Sequence, residues 1–160
     1  MRRRTVSGSG SAGRAAHAQP ATILLVDADE ESRAMMRDAL LEGARASTLR
    51  AVTSAADLAG YLEGAGAVAT PRPSLVLIDL DLPDEEGLAA VRAVKSDPAH
   101  GRIPVIGLTR RSEHSVVDDA YAAGANTVLP RPVTFLALVR LMKVFTAYWL
   151  EAAALPGRTA

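Results

Sequence analysis

Two aspartates, a threonine and an arginine each follow a short apolar run in this chain. Asp79 ends Leu75-Val76-Leu77-Ile78, and Asp27 ends Ile23-Leu24-Leu25-Val26. Thr109 follows Pro104-Val105-Ile106-Gly107-Leu108, and Arg131 stands between two prolines after Thr127-Val128-Leu129. Asp29, two residues past Asp27, adds a further carboxylate. Clustered carboxylates repel and hold their protons unless a cation lies between them. Oxygen-only ligands suit Mg²⁺, which is usually held by one or two carboxylates, waters and a phosphate. A carboxylate to attack phosphorus, acids to hold the metal, a hydroxyl donor and a side-chain cation are the parts of phosphoryl transfer. That chemistry requires four strand ends to meet.

The elements between them supply the meeting place. Four consecutive apolar residues ahead of Asp79 suit a strand buried on both faces of a parallel sheet. Residues 31–43 carry helical spacing, with Met35, Ala39 and Leu40 on one face. A second strand is expected over Thr48 to Val52, and Ser54-Ala55-Ala56-Asp57 starts a helix in the manner of a capping box. Leu88, Val91, Val94 and Lys95 mark a third helix, stopped at Asp97-Pro98. Val116, Val117, Ala120 and Tyr121 mark a fourth, ended by Gly124. A long apolar helix is predicted from about Val133 to Leu155. Alternating strands and helices imply a parallel α/β sheet covered on both faces. The flavodoxin-like order 2-1-3-4-5 is the natural solution, and its ligand site lies where strands 1 and 3 end.

Composition narrows the classes. The chain has 160 residues, 49% hydrophobic and 22% charged, as in a soluble globular domain. Eighteen Lys and Arg balance 18 Asp and Glu, so no cationic excess marks a nucleic-acid binder. With no cysteine, thiolate metal sites and cysteine nucleophiles are excluded. His17, His100 and His114 match no metal spacing. No run approaches the ~20 apolar residues of a membrane span, and the Arg2–Arg4 start lacks an apolar segment for export, so a cytoplasmic location is expected. Residues 1–20 read as a flexible tail, 21–155 as the domain and 156–160 as a short tail. The GxGxxG at Gly8, Gly10 and Gly13 precedes a strand instead of following one, so it is a false dinucleotide match. A flavin-binding reading is disfavoured because no Gly/Ser/Thr-rich phosphate loop follows strand 1.

The segments LLVDADEES, LVLIDLDLPDEEG, IPVIGLT and AGANTVLPRP resemble, in order and spacing, the receiver domain of two-component response regulators. SDPAHGRIPVIGLT, AYAAGANTVLPRPVTF and FTAYWLEAAALP look like single-domain regulators associated with bacterial phytochromes. The resemblance implies a (βα)5 receiver fold with an extended C-terminal helix. It implies that Asp79 takes a phosphoryl group from a histidine kinase, with a photoreceptor kinase suggested by the phytochrome-type likeness, as a signalling protein and not an enzyme. It further implies Mg²⁺ at Asp27, Asp79 and the main-chain carbonyl of Asp81, with Thr109 on the phosphoryl group; Asp29, nearby in sequence, is a further candidate ligand whose Cβ points to a different side of the turn. The acidic loop Asp81, Asp84, Glu85 and Glu86 is otherwise read as solvated.

Several positions depart from the family pattern. Ala28 replaces an acidic metal ligand, so weak Mg²⁺ binding is expected. Arg131 replaces a lysine, and neither Lys95 nor Lys143 lies on an element that could substitute. Arg keeps the charge but carries a planar fork that can bind an anion in two places. Val128 stands where a switch aromatic is expected, and Arg110 where a small residue is usual. These departures leave open an alternative: a degenerate receiver in which Arg131 pairs permanently with Asp79, acting as a constitutive protein-interaction and dimerisation module.

The last helix has hardly any polar face: Phe135, Leu138, Val139, Leu141, Met142, Val144, Phe145, Tyr148, Trp149 and Leu150 surround it. A surface helix needs one apolar stripe, and a second exposed stripe marks an interaction surface. A symmetric homodimer is predicted through this helix, with Phe145, Tyr148 and Trp149 near its centre. The resemblance to single-domain regulators and the end of the chain at Ala160 argue against a DNA-binding module.

Overall fold

The computed structural model describes residues 20–43, 47–67 and 69–157. The expected N-terminal tail with Gly8, Gly10 and Gly13 lies outside the described residues except for Pro20, as do residues 158–160. Five strands form one parallel sheet: β1 (Ala21–Val26), β2 (Ser47–Val52), β3 (Leu75–Asp79), β4 (Val105–Thr109) and β5 (Thr127–Pro130). Their order is β2-β1-β3-β4-β5, as the sequence predicts. Helices α1 (Glu30–Gly43), α2 (Ala55–Glu63), α3 (Glu86–Ser96), α4 (His114–Ala122) and α5 (Phe135–Thr146) cover it.

Side chains alternate across the three central strands and so build two apolar layers. Leu24, Val26, Val76 and Ile78 face α2, α3 and α4, meeting Leu58, Leu62, Val91, Val94 and Ala120. Ile23, Leu25, Leu75, Leu77, Ile106 and Leu108 face α1 and α5, meeting Met36, Leu40, Leu138, Met142 and Phe145. β1, β3 and β4 are buried along their whole length, whereas β2 lies at the sheet edge with exposed positions. Burial on both faces is why the central strands read as unbroken apolar runs.

Register sets the site. Val26 pairs with Ile78, Asp79 with Leu108, and Thr109 with Pro130. Asp27, Asp79, Thr109 and Arg131 therefore arrive at one carboxyl edge. The loop after β3 is tightly held. A Cβ on Gly87 would lie 2.5 Å from the Asp79 carbonyl oxygen and 2.8 Å from Leu80 Cα, so only glycine fits there. Asp84 and Glu85 adopt left-handed φ values of 55° and 56°, and a 3₁₀ turn at Pro83–Glu85 leads into α3. Glu86 does not merely face solvent as the loop reading expected: its Oε1 accepts from the Ala55 N–H at 2.7 Å, at the first turn of α2. Ser54 caps that same turn through the Asp57 N–H.

The last helix departs from its predicted span of Val133 to Leu155. It starts at Phe135 because Thr134 caps it, its hydroxyl accepting from the Ala137 N–H. After Thr146 the backbone widens into a π-helical segment at Ala147–Ala152 and leaves the helix at Ala153. The Thr146 hydroxyl donates toward the carbonyls of Met142 at 2.8 Å and Lys143 at 3.1 Å, competing with the regular ladder at that point. Leu155 then folds back into the α1–α5 layer. Phe145, predicted near the centre of an interface, is instead 3% exposed and packed inside its own domain. Trp149 is half-buried against the same layer, with its ring edge-on to Tyr148 at 5.1 Å. The outward stripe is Leu136, Arg140, Val144 and Tyr148, spaced four residues apart.

Candidate functional site

Asp27 and Asp79 converge on one guanidinium. Arg131 Nη2 lies 2.5 Å from Asp27 Oδ2, and Nη1 lies 3.1 Å from Asp79 Oδ2. The arginine side chain is 7% exposed, and the two carboxylates 0% and 8%. Its backbone anchors it: the Arg131 N–H donates to the Thr109 carbonyl at 2.7 Å, and Pro130 and Pro132 stiffen both flanks. A planar fork reaches two acids at once, which a single ammonium could do less well. Three buried charges are tolerable only with such close pairing.

Ser32 completes this cluster and was not singled out in the sequence. Its hydroxyl donates to Asp27 Oδ2 at 2.5 Å, and Arg131 Nη2 is hydrogen-bonded to Ser32 Oγ as well. The only signal was position, on the first turn of α1 three residues after Asp29. Arg33 was missed too; its Nη1 donates to the Asp27 carbonyl at 2.8 Å. Asp29 is turned to helix capping. Its Oδ1 accepts from the Ser32 N–H at 2.8 Å, while its own N–H donates to Asp27 Oδ1. An acid there also suits the positive end of the helix dipole.

Asp79 is pulled two ways. Burial raises its carboxyl above the ordinary 3.8, and this outweighs the Asp81 N–H and the Arg131 charge that favour ionisation. The neighbouring charges of Asp27 and Asp81 push in the same direction as burial. Asp81 is not simply solvated as the loop reading had it. Its N–H donates to Asp79 Oδ1 at 2.9 Å, and its carboxylate accepts from Thr109 Oγ1 at 2.7 Å and from the Arg110 N–H at 2.8 Å. Thr109 thus faces Asp81 rather than Asp79. Lys95 lies elsewhere, its Nζ bonded to the Ile103 carbonyl and Asn126 Oδ1. Val128, in the switch-aromatic position, offers its N–H to the Tyr121 hydroxyl of α4 at 3.3 Å.

The donors at this edge are the hard oxygens a divalent cation takes. Asp27 and Asp79 point to one place, so they suit such an ion. However, both inward oxygens are on Arg131, which a metal would have to displace. Among the described residues no three His, Asp or Glu side chains gather as a metal-holding group, and exposed Ala28 contributes no ligand. Beside the ion pairs opens a cavity of about 180 Å³, lined in part by Asp29, Glu31, Ser32, Arg110 and Arg131. An anionic group could enter there against two arginines.

The sequence profile of the response regulator receiver domain matches residues 23–143. This chain belongs to the response regulator receiver family. Response regulator Rcp1 of Synechocystis sp. is 32% identical over 88 residues, covering 55% of this chain but only 60% of that protein, so this receiver spans less than two thirds of Rcp1's length in the alignment. Two solved structures are similar over nearly their whole length. The phosphorylated cyanobacterial phytochrome response regulator RcpA superposes with a TM-score of 0.77 at 27% identity, over 86% of this chain and 99% of that one. The Mn²⁺-bound form of Rcp1 gives 0.76 at 27% identity, over 86% and 100%. The receiver is thus a response regulator module of two-component signalling, and Asp79, Thr109 and Arg131 stand at the strand ends where the sequence expects its chemistry.

Proposed function

We propose that this receiver takes a phosphoryl group from a phosphohistidine of a histidine kinase onto Asp79. The observation that carries the reading is the placement of Asp79: a carboxylate at the end of a buried central strand, paired with Arg131 beside a cavity whose charged lining is Arg110 and Arg131 with Asp29 and Glu31. An Asp79 carboxylate oxygen attacks phosphorus in line as the P–N bond to the histidine breaks. The released imidazole nitrogen takes a proton from solvent. Arg131 exchanges its contact with Asp79 for one with the phosphoryl oxygens while keeping Asp27 and Ser32, so the cation stays at the reacting centre. Thr109 then donates to an equatorial oxygen.

Asp27, Asp79 and the Asp81 carbonyl would hold Mg²⁺, while Asp29 is engaged in capping α1. Bound there, the ion would neutralise charge growing on the phosphoryl oxygens. Manganese in Rcp1 supports a divalent site, and Ala28 together with the Arg131 bridge supports weak binding. Likeness to the phytochrome response regulator RcpA supports a photoreceptor kinase as donor. The balanced charge supports a partner that is protein and not nucleic acid, and among the described residues no helix is long and apolar enough to cross a membrane. A cytoplasmic location fits such a kinase. The outward apolar positions Leu136, Val144 and Tyr148 on the last helix support a homodimer, now without Phe145. We take residues 21–155 as the receiver unit.

The test is intact-mass analysis after incubation with phosphoramidate and Mg²⁺. A phosphoryl adduct on the wild type, absent from Asp79→Asn, is expected. No adduct at millimolar donor and metal would sink the phosphoacceptor reading and leave a non-phosphorylated interaction module.

A further inference from the structure

The Asp81 carboxylate is held as an anion in a receptor. Thr109 Oγ1 donates to one of its oxygens at 2.7 Å, and the Arg110 N–H to the other at 2.8 Å. Thr109 Oγ1 in turn accepts from the Arg111 N–H at 3.0 Å. A hydroxyl has one proton to give, and Thr109 gives it to Asp81. The Asp81 N–H meanwhile binds Asp79 Oδ1 at 2.9 Å, so the acid that occupies the donors is tied to the nucleophile itself. Thr109 is 2% exposed, so its hydroxyl is shielded from bulk water.

A phosphoryl group on Asp79 would present oxygens to this same hydroxyl and N–H. Two anions cannot share these two donors, and the side chain already there carries the same sign as the newcomer. We propose that the Asp81 carboxylate is a built-in competitor for the Thr109–Arg110 donor pair, which must swing out before a phosphoryl group on Asp79 can be held there. The inference rests on Asp79 being the phosphoacceptor and adds a regulating residue to that site. In the resting receiver the end of β4 is closed by an internal anion. In the modified receiver a more highly charged anion takes its place, and Asp81 moves to solvent. The exchange is a two-position side-chain switch in a domain whose strand 5 carries Val128 and no aromatic.

The measurement is a beryllofluoride titration of the full chain with Mg²⁺, followed by the Arg110 amide resonance. Wild type, Asp81→Ala and Asp81→Asn are compared, with Asp79→Asn as the blank and thermal melts to verify folding. Removing the competitor should tighten Asp79-dependent uptake about tenfold in Asp81→Ala, the scale of one lost charged hydrogen-bond partner. Asp81→Asn keeps the shape but not the charge and should fall between the two. Uptake by Asp81→Ala alone also supports the switch. Equal or weaker uptake by Asp81→Ala, still dependent on Asp79, overturns the switch and leaves the phosphoacceptor reading intact. Absence of Asp79-dependent uptake in all three overturns both. If Asp81→Ala does not fold, Asp81→Asn decides, and an unchanged affinity there overturns the switch.

Discussion

Asp79 keeps its proton to higher pH in the folded chain than in the unfolded one, because burial outweighs its favourable partners. A carboxyl raised in this way contributes stability below its ordinary 3.8, and that contribution is lost as pH rises through the folded value. Asp79→Asn has no such loss. Its melting temperature in EDTA should therefore gain on the wild type as pH is raised from 4 to 7.5, whereas a gap that stays constant with pH would contradict the assignment. Arg131 is the opposite case, since its removal strands Asp27 and Asp79 facing each other. Arg131→Met should cost about 3–5 kcal/mol in urea unfolding, and millimolar Mg²⁺ should restore part of it by taking the vacated place. Ala28→Asp adds the missing acid and should tighten Mg²⁺ in calorimetry. An unchanged affinity would mean that the Arg131 bridge, not ligand number, limits the metal. Asp27, Asp79, Thr109 and Arg131 were legible in sequence because each ends an apolar run. Ser32 and the Asp81 carboxylate were not, because their roles depend on where a side chain turns across a loop, which periodicity does not encode.

At the scale of elements, the strands were readable to within a residue or two, since burial on both faces leaves an unbroken apolar signature. The last helix is legible as one extended element, but its exact start and its π-helical end are not. Its apolar run continues past Thr146, but there the regular turns widen into the π-helical segment, with the Thr146 hydroxyl bonding back to the preceding carbonyls. Composition also does not tell which of the aromatic positions pack inward, which is why Phe145 reads as an interface residue although it lies in the core. The loop after β3 makes a sharper prediction. Gly87→Ala would push a methyl against the Asp79 carbonyl at 2.5 Å, and the backbone there has no flexible end to move aside. A loss of about 1–3 kcal/mol is expected in thermal or urea unfolding, whereas a neutral effect would mean that the loop relaxes freely.

For the whole molecule, the proposed dimer would use the exposed stripe of the last helix, so assembly and folding can be tested apart. Val144→Arg with Tyr148→Ser should leave the melting temperature within a few degrees of wild type while lowering the mass seen by light scattering from dimer to monomer. Phe145→Ala should do the reverse, destabilising the domain by about 3–5 kcal/mol through a core cavity. A wild type that is already monomeric at micromolar concentration would remove the dimer from the proposal. The bond from Glu86 to the start of α2 carries a consequence for direction. Together with Gly87 seated beneath the Asp79 carbonyl, it braces the flank of the sheet edge that leads to α2 and α3. The other flank, from Thr109 through Arg111 to α4, is held at its start by the Asp81 side chain, the group that the proposed exchange would release. On the proposed reading, one side of Asp79 stays braced while the other is freed by the exchange. A signal written at Asp79 is expected to leave sideways, through α4 and the β5 edge, and amide exchange should quicken there while α2 and α3 stay quiet.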